Sequence, residues 1–229
     1  QRSLGNFRQG CELARNGYLG QITEVQVAVP GKSFQPGYKG SLDPQPVPDG
    51  IDWKMWLGPA RFSPFNPGRI AYPDWYLSND YCEGWTTNWG VHHLDIAHWG
   101  CPLLGSEPFE VECGGTYYIN ENFADNIATW KAVFTYESGL RMVFTDSTQQ
   151  PSGTKFIGEK GWVYVNRGDK IEASGDLLQV RPKTGDVRLL PADSMSFDDI
   201  TVIKAKDGER TGYRNVNHAA GLLDAMRSR

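Results

Sequence analysis

What this chain of 229 residues lacks closes off several classes of function. No apolar run approaches the roughly 20 residues needed to cross a bilayer, so no membrane partner is expected. No block of basic residues stands out. The 23 Lys and Arg against 27 Asp and Glu leave a formal charge of −4, which argues against a nucleic-acid or anionic-membrane surface. Cysteine is sparse: Cys11, Cys82, Cys101 and Cys113 form no C-x-x-C pair, and free, mostly buried thiols are expected rather than a disulfide framework. There is no G-x-G-x-x-G between a strand and a helix and no G-x-S-x-G elbow. Gly31-Lys32-Ser33 lacks the upstream glycine of a P-loop. Without an H-E-x-x-H run, a zinc-spaced Cys pair or an obvious third ligand beside His92 and Asp95, no metal site is expected.

With 39% hydrophobic and 12% aromatic residues, the chain can bury a core for one domain, or one domain with an appendage. Leu4, Phe7, Cys11 and Ala14 recur at helical spacing and Asn16-Gly17 supplies a stop, predicting an amphipathic helix over 3–16. Ile22, Val25, Val27 and Val29 predict a strand that Pro30 ends. Residues 30–87 are a Pro/Gly-rich, aromatic insertion with one possible helical turn, Asp52 to Leu57. A segment this long and this aromatic is expected to be an ordered lid or wall.

Beyond a helix over 88–100 the pattern turns to strands at 110–118, 128–136, 140–145, 154–158 and 162–166, with weaker ones at 170–173, 177–181 and 187–190. Glu137-Ser138-Gly139 and Glu159-Lys160-Gly161 read as hairpin turns. A final helix is expected over 213–229, with Val216, Ala220, Leu223 and Met226 near one face. The fold class is α+β: an open, mainly antiparallel sheet with helices on one face, and the other face solvated or used for self-association. Both ends of the chain look like cuts through a longer protein.

The segment Gly84 to Trp99 holds three of the four histidines. At about 100° per residue, Asn88, His92, Asp95 and Trp99 share one helical stripe, while His93 and His98 point elsewhere. A His beside an amide and a carboxylate can act as a general acid or base, its tautomer fixed by its partners. A packed, hydrogen-bonded helix histidine remains the alternative. In the insertion, Trp53, Trp56, Trp75, Tyr76, Tyr81 and Trp85 are dense enough to stack on the C–H faces of sugars, with Asp80 and Glu83 to accept hydroxyl protons. They could equally be a satellite aromatic core that pins the loop.

Gly84-x-x-x-Asn88-x-Gly90-x-His92-x-x-Asp95 resembles the second signature of the glucose-fructose oxidoreductase/inositol dehydrogenase/MocA family, Gly-Gly-x-x-x-Asp-x-Gly-x-His-x-x-Asp. Gln1-Arg2 through Asn16-Gly17-x-Leu19-Gly20-Gln21-Ile22 is similar to the helix and strand that follow the family's cofactor domain. Asp49-Gly50-x-Asp52-Trp53-x-x-Trp56-Leu57-Gly58-Pro59 resembles a subgroup with this aromatic insertion, and Gly158-Glu-Lys-Gly161 the late hairpin.

The resemblance implies that residues 1–229 are a substrate and oligomerisation domain without its Rossmann domain: 1–29 the helix and first strand, 30–87 the insertion, 88–229 the signature helix, sheet and final helix. It implies NAD or NADP in a full-length parent and no cofactor bound by this chain alone; which residues contact the cofactor is left open. The expected substrate is a sugar-like small molecule, a sugar, polyol or glycoside oxidised at a secondary alcohol. His92 is the implied general acid or base and Asn88 its neighbour, standing where the family has Asp; an amide can orient His92 but cannot stabilise an imidazolium by charge. Asp95, Tyr81, Trp85, Asp80 and Arg2 are the implied substrate contacts. A homo-oligomer would form through the open sheet, and the compartment stays open between cytoplasm and export. Two competing readings are a non-catalytic carbohydrate-binding or scaffold domain, favoured by Asn88, and part of a redox-assisted glycoside-cleaving enzyme.

Overall fold

The computed structural model describes residues 1–2, 4–119 and 122–189. The expected final helix over 213–229 lies outside them. Two helices and seven strands carry the architecture. Helix α1 (Gly5–Arg15) buries Phe7, Cys11, Leu13 and Ala14 and ends at Asn16. Gly17 takes φ +73°, a conformation that lets the chain turn back toward strand β1 (Ile22–Val29). After the insertion come α4 (Gly84–Asn88), α5 (Gly90–Gly100) and strands β2 (Phe109–Tyr117), β3 (Ile127–Tyr136), β4 (Arg141–Asp146), β5 (Gly153–Gly158), β6 (Gly161–Asn166) and β7 (Lys170–Ala173).

The sheet order is β2-β3-β4-β1-β5-β6-β7. The β1–β4 pair is parallel and every other pair is antiparallel. Sequence pattern foresees the hairpins but not the centre, where β1 inserts between β4 and β5. Alternation sorts the two faces cleanly. One rung crosses all seven strands as Val111, Phe134, Met142, Val25, Phe156, Val163 and Ala173, while the next reads Glu112, Val133, Val143, Gln26, Lys155, Tyr164 and Glu172. The apolar face receives α1 against β6 and β7, and α5 against β1 and β5. Glycines at both ends of α5 permit that approach: a Cβ on Gly90 would press the Phe144 ring at 3.1 Å, and one on Gly100 would overlap the Phe156 ring. The Cys11 thiol lies 3.6 Å from the carbonyl of Ile96, joining the two helices, and burial pushes its pKa up so that it stays protonated. All four cysteines are free; Cys11 and Cys101 are buried and Cys113 is exposed.

Two of the weaker expected strands are absent. Residues 177–181 begin with a 3-10 turn, Leu177–Gln179. Residues 187–189 are irregular because their amides are taken by α1: Val187 N–H donates to Asn16 Oδ1 (2.7 Å) and Leu189 N–H to Glu12 Oε1 (3.0 Å). Side chains satisfy the backbone here, so no strand partner is needed.

The insertion is ordered, and polar staples explain why. The carboxylate of buried Asp74 accepts from Gly37 N–H (2.7 Å), Tyr38 N–H (3.1 Å) and Asn122 Nδ2 (2.9 Å). Buried Asn66 donates to the carbonyls of Ser41 (2.8 Å) and Asp43 (2.7 Å) and caps helix α3 (Pro67–Ile70) by accepting from Gly68 N–H. Helix α2 (Trp53–Leu57), capped by Asp52, packs with Phe65 into a small satellite core. Among the described residues no helix is long and apolar enough to cross a membrane.

Candidate functional site

Helix α4 starts at Gly84, whose φ of +65° and contact with the Asn126 amide leave no room for a side chain. The helical path tightens at Trp89, whose carbonyl accepts from both His92 N–H (3.1 Å) and His93 N–H (3.4 Å). Asn88 therefore closes α4, and His92 lies in the first turn of α5. Both side chains are exposed and find no hydrogen-bond partner among the described residues. Partial desolvation, followed by the nearby Arg167 cation, holds the His92 pKa below its ordinary value, so the imidazole is neutral at pH 7.

The neighbouring histidine has a structural job. His93 is fully buried, with Nδ1 3.3 Å from the Thr154 hydroxyl, and that hydroxyl donates to the His93 carbonyl at 3.1 Å. Since the hydroxyl proton is used on the carbonyl, the oxygen must accept from Nδ1–H, which fixes the tautomer and leaves Nε2 unpartnered among the described residues. Burial drives the His93 pKa down to about 3.

Arg2 and Asp95, each expected as a substrate contact, pair with one another. Arg2 Nε and Nη2 donate to the two Asp95 oxygens at 2.8 and 2.6 Å, and the guanidinium also lies over the Trp99 ring. Asp95 thus spends its carboxylate on Arg2 rather than presenting it. Two further groups join the site that sequence reading did not single out. The Gln1 amide, oriented to satisfy both neighbours, donates to the His92 carbonyl (2.9 Å) and accepts from Arg167 Nε (2.8 Å). Arg167, on the turn between β6 and β7, stacks on Trp89 with its guanidinium carbon 4.0 Å from the ring centroid. The only hint in the sequence is an arginine in a hairpin turn, Asn166-Arg167-Gly168-Asp169, and hairpin turns carry charged residues for many reasons. Among the described residues no three His, Cys, Asp or Glu converge to hold a metal ion.

The insertion residues divide. Trp85 is not presented as a surface platform: it is 2% exposed, packed in the main core against Phe34, Tyr76 and Trp89 at centroid distances of 4.4, 4.7 and 5.7 Å. Its flanking glycine and the aromatic stretch before it draw it inward. Tyr81 and Asp80 line an open cleft of about 420 Å³ together with Trp56, Trp75 and Ile70. The Tyr81 hydroxyl accepts from Arg69 Nη1 (3.2 Å) and its ring meets Trp56 edge-on at 4.7 Å. The rings divide by place: Tyr76 and Trp85 pack in the main core and Trp53 in the satellite core, whereas Trp56, Trp75 and Tyr81 line the cleft. A chain of ring contacts, Trp75–Tyr76–Trp85–Trp89, links the cleft wall to the residue under Arg167.

The described residues form no Rossmann-type dinucleotide cradle. The turn after β1, Pro30 to Ser33, opens no helix that could receive a pyrophosphate, and β1 and β4 form no compact βαβ unit.

Residues 11–189 match the family model described as "Oxidoreductase family, C-terminal alpha/beta domain", that of Gfo/Idh/MocA. No curated protein matches. Among solved structures, an aldose-aldose oxidoreductase from Caulobacter crescentus complexed with glycerol is similar at 15% identity and TM-score 0.46, over 75% of this chain and 42% of that one. GenD2 from gentamicin A biosynthesis, in complex with NAD, is similar at 18% and 0.43, over 70% and 36%. An oxidoreductase from Agrobacterium radiobacter, in complex with NAD+, L-tartaric acid and magnesium, is similar at 12% and 0.40, over 75% and 41%. The chain spans about two fifths of the length of these structures.

Proposed function

Because this chain belongs to the Gfo/Idh/MocA oxidoreductase family, as its C-terminal alpha/beta domain, we propose that it is the substrate-binding and catalytic half of an NAD(P)-dependent enzyme oxidising a secondary alcohol of a sugar, polyol or glycoside. The observation that carries this reading is His92: a neutral, partly desolvated imidazole with no partner among the described residues, set between the Arg2–Asp95 pair and the Arg167–Trp89 stack. A buried structural histidine looks like His93; a histidine awaiting a proton looks like His92.

His92 takes the hydroxyl proton as the alcohol carbon is oxidised, and Asn88, one turn away, orients the hydroxyl or the ring. Trp56, Trp75 and Tyr81 offer aromatic faces and Asp80 a hydroxyl acceptor to a sugar that extends into the insertion cleft. In this reading the NAD(P) is held mainly outside the described residues, which form no Rossmann-type cradle, and the proton is handled here. For the oligomer, the helix-free face supports self-association: Lys155 lies over the Trp162 ring (4.2 Å) and Lys170 over Tyr164 (5.3 Å), covering aromatic surface that a second copy could bury.

The test is a panel of sugars, polyols and glycosides assayed with the full-length protein and NAD or NADP. Alcohol-dependent formation of reduced nicotinamide that collapses in His92→Ala is the expected result. Carbohydrate binding without turnover, unchanged by His92→Ala, would favour the non-catalytic domain that Asn88 suggests.

A further inference from the structure

The charges around His92 do not balance. Two guanidiniums, Arg2 and Arg167, and the Gln1 amino group face one carboxylate, and Asp95 gives both oxygens to Arg2. Arg167 pairs with no carboxylate among the described residues, and neither of its terminal nitrogens donates to any of them; Nε alone is used, on Gln1. It is nonetheless anchored, by the Trp89 ring 4.0 Å from its guanidinium carbon and by Gln1 at Nε. A guanidinium anchored at Nε and over a ring, with both terminal nitrogens unused among the described residues, is suited to a planar two-oxygen acceptor. Trp89 and His92 are three residues apart on a helical path, so the fork and the imidazole share a face.

We propose that Arg167 is a carboxylate receptor and that the substrate is a sugar acid of the uronate or aldonate class, its carboxylate in the Arg167 fork and its reacting hydroxyl toward His92. This deepens the alcohol-oxidising reading and rests on it. A carboxylate suits the site because its two oxygens match the two terminal nitrogens of the guanidinium. The pairing has a chemical consequence. Arg167 is among the groups that lower the His92 pKa, so a carboxylate bound to it offsets that field and makes His92 a stronger base when, and only when, the substrate is in place.

The test is NMR titration of the histidine side chains in the 229-residue chain with D-glucuronate, its neutral isostere D-glucuronamide, and neutral polyols. Glucuronate should shift the His92 resonances, raise its titration midpoint, and bind about tenfold or more tighter than glucuronamide. Arg167→Gln should erase that preference and Arg167→Lys should keep part of it; Arg167 sits on an outer turn, and an unchanged amide spectrum verifies each fold. Equal binding of acid and amide, or a preference that survives Arg167→Gln, overturns the proposal while leaving a sugar site at His92. No response to glucuronate also overturns it; in that case a response to the neutral polyols preserves the alcohol-site reading, and silence there removes both.

Discussion

Arg2 and Asp95 stand 93 positions apart in the chain and meet through two hydrogen bonds, tying the first residues to α5 beside His92. The pair is half exposed, at 50% and 44%, so its role is placement rather than stability. A double-mutant cycle of Arg2→Ala and Asp95→Ala, read by urea unfolding, should give a coupling below about 1 kcal/mol that shrinks in high salt. A coupling above about 2 kcal/mol would make it a structural clamp.

His93 makes stability depend on pH. Its folded pKa, about 3, lies below the ordinary 6.5, so the unfolded chain binds the extra proton between those values. Stability from this group is intact above about pH 6.5 and is lost as pH falls toward 3, with a slope approaching about 1.4 kcal/mol per pH unit. His93→Asn keeps a donor for Thr154 and removes the titration. Its unfolding free energy should fall less steeply from pH 6.5 to 4, and equal slopes would sink the assignment.

Trp85 and Trp56 test the division of the aromatic insertion. Trp85→Ala should cost about 3–5 kcal/mol by thermal or urea unfolding, because it empties a packed core position. Trp56, 39% exposed on the cleft wall, should cost about 1 kcal/mol and instead weaken sugar binding. The reverse ranking would mean that Trp85 carries the ligand.

Much of this was legible in the sequence for reasons that stay local. Density of β-branched and aromatic residues announces β3 and β6, a Gly in the left-handed region ends α1, and the Asp52 cap marks α2. The central position of β1 is a long-range choice that no local pattern encodes. At the site, helical spacing joins His92 to Asp95, and the resemblance adds Arg2. Arg167 reaches Trp89 only through the folding of β6 against β5 and β1, so its sequence context says nothing of its neighbour. Aromatic density does not distinguish a ring facing a cleft from one facing the core, and Trp85 faces the core.

Asp74 holds the insertion to the sheet domain. Asp74→Ala removes the acceptor of three donors, two of them backbone N–H groups, and should cost about 2–4 kcal/mol. The loss should be local. Hydrogen exchange should accelerate around residues 37–41 and 72–78 while β5 and β6 keep their protection; acceleration throughout would show that the insertion is part of the global folding unit.

His92 gives the last prediction, on rate. As a base it must be neutral, and its pKa is held below 6.5, first by desolvation and then by Arg167. In the full-length protein the acid limb of kcat/KM should therefore have its midpoint below pH 6.5, since protonation removes the acceptor. His92→Ala should lower kcat by about 10²–10⁴ and abolish that limb, whereas His93→Asn leaves the limb in place. Removing the Arg167 charge should move the limb upward without carrying it to an unperturbed histidine, because the desolvation remains. An acid limb unchanged in His92→Ala would assign the proton transfer to another group.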